Sequence, residues 1–222
     1  MIQPASRVQA ASLWQSEEIS DMKIAIIGSG HIGGTLGQLW ATKGHEVMFG
    51  SRDPQSDKLQ KLLQRAGPNA RAASVRDAIA FGEVILLAVP GTEIERVLAE
   101  AGDLGNKILI NSTILFDGRS ASAEVIRLSG SARVVRAFHT VTWEVLANPQ
   151  YGPVNATIFM NGDDFEAKQT VARLCQDIGL DPIDAGDSST STQIETAVGT
   201  FWQILSPQFG RDYALRVLRR EA

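Results

Sequence analysis

The sequence predicts an α/β protein built on a doubly wound, mostly parallel sheet, with a small α/β extension at its C-terminal end. Three observations carry this. Apolar, strand-like segments alternate with amphipathic, helix-like ones from Lys23 to Ala137. One of them, Val84-Ile85-Leu86-Leu87-Ala88-Val89, is an unbroken apolar run, as a strand covered on both faces requires. Glycines stand at 28, 30 and 33, between the first strand and the first helix, which is the G-x-G-x-x-G spacing of a Rossmann dinucleotide fold.

The elements follow in order. The first strand covers 23–27 and its helix runs to about 43, closed by Gly44. A strand at 46–50 leads to a helix over 56–66 that stops at Gly67-Pro68. A short strand near 70–72 precedes a helix over 74–80, with Ser74 as its N-cap. The buried strand 84–89 is broken by Pro90-Gly91, and a helix spans 92–101. A strand at 107–110, a loop to about 119, a helix near 120–129 and a strand at 133–137 complete six strands. Beyond Phe138 the pattern predicts a short helix over 139–146, a strand at 157–160, a helix over 165–178 and a strand at 181–184. A helix from about 188 to Leu205 is expected to end at Pro207. Tyr213, Leu215, Val217 and Leu218 suggest one more helix. Residues 1–21 read as a flexible extension, 22–145 as the dinucleotide-binding domain, and 146–222 as a small substrate or dimerisation segment.

Composition narrows the function. A net charge of -4 argues against nucleic acid as the main partner. No apolar run has the length of a membrane span, and no secretory pattern opens the chain. The single cysteine, Cys175, lies in a helical apolar pattern and reads as core. A reducing, cytoplasmic setting fits these features. The histidines, His31, His45 and His139, show no metal-ligand spacing, and no metal is expected.

Each glycine of the turn has a physical task. Gly28 permits a tight turn, Gly30 lets a pyrophosphate approach the backbone, and Gly33 lets the helix lie close on the strand. The first helical turn then offers free N–H groups to phosphates. Where NAD-preferring folds carry an acid at the end of the second strand, this chain has Gly50-Ser51-Arg52. Ser51 offers a hydroxyl and Arg52 a planar cation, which suits a 2′-phosphate and predicts NADP(H). Asp53 is expected to start the next turn with Pro54. Ligands of such sheets lie beyond the carboxyl ends of the strands. Val89 and Pro90, Asn111, and the Ala137-Phe138-His139 segment are therefore candidate cofactor contacts.

The motifs Lys23–Gly34, Gly44-His45-Glu46-Val47, Gly50-Ser51-Arg52, Leu87-Ala88-Val89-Pro90, Val134–Thr140, Gly162-Asp163-Asp164 and Gly179–Gly186 occur in one order. Together they resemble the NADPH-dependent deazaflavin reductases, the NADP oxidoreductases of coenzyme F(420). That family is related to the reductase domain of the six-transmembrane ferric reductases. The resemblance implies that Ser29, His31 and Ile32 line the pyrophosphate through backbone N–H groups and that Ser51 and Arg52 hold the 2′-phosphate. It also implies that Ala137–Thr140 shapes the place where nicotinamide meets a second ring, a deazaflavin or flavin acting as co-substrate. Gly91 replaces a frequent aromatic, which is expected to widen that side.

Hydride transfer needs two rings in contact and little proton transfer. His139 is the candidate catalytic residue, orienting the acceptor ring, or else a cap on the strand end. Trp143 and Trp202 are either ring contacts or core. The expected function is an NADP(H)-dependent oxidoreductase with a deazaflavin or flavin-like acceptor, working on a small-molecule substrate as a possible homodimer. A non-catalytic NADP(H) sensor, or a reductase of another small electrophile such as an imine, is the alternative.

Overall fold

The computed structural model describes residues 21–115, 120–131, 133–218 and 220. The predicted extension, 1–21, therefore lies almost wholly outside the described residues, as does part of the loop before residue 120.

The first half alternates as the periodicity predicts. It runs β1 (Lys23–Ile27), α1 (His31–Thr42), β2 (Glu46–Gly50), α2 (Asp57–Ala66), β3 (Ala70–Ala73), α3 (Val75–Phe81), β4 (Val84–Leu87), α4 (Ile94–Ala101), β5 (Ile108–Asn111), α5 (Ala121–Ser129) and β6 (Val134–Arg136). Ser74 accepts the Asp77 N–H and caps α3. The second half holds α6 (Trp143–Ala147), β7 (Gln150–Tyr151), β8 (Val154–Asn155), β9 (Thr157–Gly162), α7 (Phe165–Asp177), β10 (Asp181–Asp184) and α8 (Ser191–Phe209).

One eight-stranded sheet results, in the order β10-β9-β6-β5-β4-β1-β2-β3. The first six strands are parallel. β9 joins β6 antiparallel, with Val135 opposite Gly162, and β10 continues parallel to β9. The C-terminal segment thus widens the same sheet. Strand alternation divides the core. Ile24 and Ile26 of β1 face Leu36, Trp40 and Val171 on one side. Ala25 and Ile27 face Ala78, Ile79 and Val97 on the other.

Three expectations change. The helix over 139–146 shrinks to α6, because the chain bends through 139–142 before Thr142 caps it. Pro207 does not end α8. It sits in the last turn, where its ring disturbs only the preceding turn, and Gly210 at φ 72° closes the helix through a bond to Ser206 O. The segment 212–218 is not helical. Its 213, 215, 217 spacing is that of an extended chain, and Leu215 O accepts the Thr157 N–H while Val217 N–H donates to Thr157 Oγ1. The hairpin of β7 and β8 is too short to leave a period in the sequence.

Long-range contacts tie the two halves together. Trp40 on α1 is fully buried, donates Nε1–H to Leu174 O at 3.0 Å and meets Phe138 edge-on at 5.6 Å. His45 accepts the Met22 N–H at Nδ1, so its Nε2 carries the proton and donates to Asp177 at 2.9 Å. Trp40→Ala should destabilise the protein by about 3–5 kcal/mol, read as a lowered urea midpoint. A change under about 1 kcal/mol would show that α7 is held elsewhere.

Candidate functional site

The site begins at the turn between β1 and α1. Gly28 has φ 110°, and a methyl there would overlap the Ala88 carbonyl beyond β4. A methyl on Gly33 would overlap the Gly28 carbonyl. These two positions must be glycine for α1 to start this close to the strand end. Gly30 differs, since nothing lies within 4 Å of where its Cβ would stand. That open space sits at the helix start. α1 has no side-chain cap and no acid in its first turn, and its first internal bond is Gly34 N–H to Gly30 O. The N–H groups of His31, Ile32 and Gly33 are therefore free for an anion.

Beside it, β2 ends in Gly50 and the chain enters Ser51 and Arg52. Ser51 is half-buried and its Oγ accepts the Asp53 N–H at 3.1 Å. Asp53 accepts the Gln55 N–H at 3.2 Å, so this acid serves the following turn. Arg52 is exposed and makes no ion pair with the described residues. A cleft of about 520 Å³ runs from Ser29, Gly30 and His31 past Lys58 and Arg65 of α2 to Trp143 of α6. Trp143 stacks on His31, with ring centroids 5.0 Å apart and 22° between planes. It therefore braces the glycine turn and does not line the other cavity. No local pattern in the sequence announces that stack.

The second cavity, about 460 Å³, lies beyond the ends of β5 and β6 and under α8. Ile114, Leu115, Val198 and Trp202 give it apolar walls, and Arg136, Glu195, His139 and Gln203 supply the polar groups. Gly91 does not widen it. The Leu115 side chain packs where a Gly91 side chain would stand. Val89 is half-buried next to Gly28, and Pro90 is exposed. Asn111 is buried and its side chain is committed, donating to Ala121 O at 3.1 Å and accepting the Thr113 N–H at 3.0 Å. Its carbonyl accepts from Ala137 N–H and from Arg136. Asn111 and Ala137 thus shape the strand ends through the backbone.

Phe138 turns the chain into this cavity. Its φ is 61°, a left-handed conformation that costs about 1–3 kcal/mol in a bulky residue. Burial against Trp40 holds it there. The next residue, His139, is 5% exposed, and neither ring nitrogen has a hydrogen-bond partner among the described residues. Burial, and then the Arg136 charge, push its pKa well below 6.5, while the Ala137 backbone pulls weakly the other way. His139 is neutral, so it offers one donor and one acceptor.

Arg136 is the residue that the sequence hides. It lies in a strand, yet its side chain is 2% exposed. Nε and Nη2 contact Glu195 Oε1 of α8 at 2.9 Å each, and Nη1 donates to the carbonyls of Asn111 and Thr113. Burial lowers its pKa to about 10, against the pull of Glu195. α8 is also fixed by Asn161 Nδ2, which donates to Ser191 Oγ at 2.6 Å and to Asp187 O at 3.0 Å.

The buried His139 makes stability depend on pH. In the unfolded chain it titrates near 6.5, and in the fold it stays neutral to a much lower pH. Between those values the unfolded chain binds the extra proton, so stability falls as pH falls. From pH 7 to 5.5 the wild type should lose about 1 kcal/mol more than His139→Gln in urea unfolding. Equal losses would mean that the folded protein protonates His139 as readily as the unfolded chain.

Comparisons with known proteins find related sequences and folds. Residues 23–114 match the family model described as NADP oxidoreductase, coenzyme F420-dependent. Metalloreductase STEAP3 of Rattus norvegicus is 28% identical over 183 residues, covering 78% of this chain and 36% of that protein. The glycerol-3-phosphate dehydrogenase [NAD(P)+] of Chlorobium phaeobacteroides is 32% identical over 105 residues, 40% of this chain and 31% of the relative. The chain thus spans about a third of the length of these curated relatives. Among solved structures, a candidate F420-dependent NADP-reductase of Arthrobacter sp. FB24 is 27% identical, with TM-score 0.79 over 89% of this chain and 100% of its own. A protein of Sinorhizobium meliloti, SMa0349, is 29% identical, with TM-score 0.72 over 90% of this chain and 96% of its own.

Proposed function

We propose that the protein is an NADP(H)-dependent oxidoreductase that passes a hydride between NADP(H) and a deazaflavin or flavin-like ring. The observation that carries this is the placement of two sites on one edge of the sheet. The free N–H groups after β1 and the Ser51-Arg52 pair after β2 supply the anion contacts of the dinucleotide. The apolar cavity with His139 and Trp202 opens beyond β5 and β6. A dinucleotide laid across the strand ends reaches from one to the other.

When bound, the nicotinamide supplies the hydride. This chain supplies position and dryness. The α1 N-terminus and Arg52 fix the phosphates. Val89 and Pro90 form the floor along the dinucleotide. His139, held neutral, forms part of the wall against the acceptor ring and takes no proton from it. Leu115, Val198 and Trp202 exclude water from the contact between rings. The outer face of α8, with Phe201, Ile204 and Phe209 exposed, would pair two copies; a scattering mass of 23.9 kDa, that of one chain, would refute that dimer.

The function is tested by incubating the protein with NADPH and, separately, a deazaflavin, a flavin and a ferric chelate. Loss of nicotinamide absorbance with the deazaflavin or the flavin is expected, and NADPH binding without turnover in all three would favour a sensor. Arg52→Ala should raise KM for NADPH by about 10- to 100-fold while KM for NADH stays within about twofold, as loss of a charge-assisted phosphate contact requires. Equal effects on both would remove the 2′-phosphate assignment.

A further inference from the structure

The acceptor cavity has an unusual charge arrangement. Among the described residues lining it, Arg136 and Glu195 are the charged ones. Arg136 cannot turn to solvent, because it is almost fully buried and two backbone carbonyls hold its Nη1. Its charge is therefore a fixed property of the sheet. The counter-charge comes from another element, α8, through Glu195, whose side chain is 23% exposed. The remaining polar groups, His139 and Gln203, are uncharged, and among the described residues His139 has no partner for either nitrogen. Ile114, Leu115, Val198 and Trp202 make the apolar part of the wall.

Among the described residues, such a cavity has no spare charge to offer. An anionic group brought beside Arg136 meets the like charge of the Glu195 carboxylate already paired there. A cationic group would have to draw Glu195 away, which leaves the buried charge of Arg136 without its partner and costs more than the new contact returns. An uncharged polar edge meets neither cost.

We propose that Glu195 is a specificity-determining residue: by cancelling the buried charge of Arg136 it keeps the acceptor cavity neutral, so that the cavity takes an uncharged planar ring and rejects one charged near its site of contact. This inference rests on the assignment of the cavity to the acceptor ring. Glu195 need not touch the reacting atoms, and it acts through Arg136.

The test uses the full chain in the presence of NADP⁺ and three flavin rings of one shape. Lumiflavin is uncharged, and analogues with carboxymethyl or aminoethyl in place of its N10 methyl carry a negative or a positive charge beside the ring. Calorimetry gives the three affinities for the wild type, Glu195→Gln and Arg136→Gln. The wild type should prefer lumiflavin to either charged analogue by at least about tenfold, as the loss of one paired charge implies. Glu195→Gln should move the carboxymethyl analogue up about tenfold relative to lumiflavin, and Arg136→Gln should favour the aminoethyl analogue in the same way. A purely structural ion pair would weaken all three rings together and leave their ranking unchanged, which would overturn the inference. If one variant fails to fold, the other still decides, since each predicts its own direction. Absence of binding by all three rings to the wild type would overturn the acceptor-ring assignment itself. Tight binding with one ranking in every protein would overturn only the role of Glu195.

Discussion

The close contact of Gly33 with the Gly28 carbonyl is the constraint on which the site depends. It brings the start of α1 against the end of β1 and leaves the first N–H groups of the helix pointing into the open space at Gly30. A larger residue at 28 or 33 would lift the helix away and close that space. With the helix start fixed, the ends of the next parallel strands define the line along which the proposed dinucleotide would run. Arg52, Val89 and the β6–α6 segment lie along that line because the strand order is fixed, not because they are near in sequence.

The far end of the line is built by a second set of contacts. Phe138 accepts an unfavourable backbone conformation, and its burial against Trp40 compensates. The result is that His139 turns into the cavity and stays neutral there. Arg136, two strands from the nearest described acid in the sheet's own sequence, reaches across to Glu195 and so pulls α8 over the cavity. α8 buries only Ser191 and Val198 of its 19 residues, so these polar ties carry much of its attachment. The same contacts that close the second cavity also decide its electrostatic character.

The parallel sheet and the glycine turn were legible because they follow from local rules. Periodicity gives the strands, and the turn needs glycine at fixed offsets. The position of Ser51 and Arg52 just past the second strand was legible because it is set by the chain alone. The acceptor side was less so. The widening expected from Gly91 disappears because Leu115, from another loop, fills the space. Trp143 belongs to the glycine turn because α6 packs on α1, a tertiary fact with no local signature. Arg136 looked like one charge at the end of an apolar strand, and only the position of Glu195 explains it. The extended segment 212–218 was mistaken for a helix because a short apolar pattern is ambiguous between periods of two and 3.6.

The central claim is that the two sites on one sheet edge bring nicotinamide and acceptor ring into direct contact. Deuterium transfer tests it most directly. NADPH labelled at C4 of the nicotinamide is incubated with the protein and an oxidised deazaflavin, whose accepting position is a carbon and so retains the label. Each face of the nicotinamide is labelled in turn. Direct contact predicts deuterium in the reduced deazaflavin from one face only. Reduced deazaflavin without deuterium from either face would contradict the account.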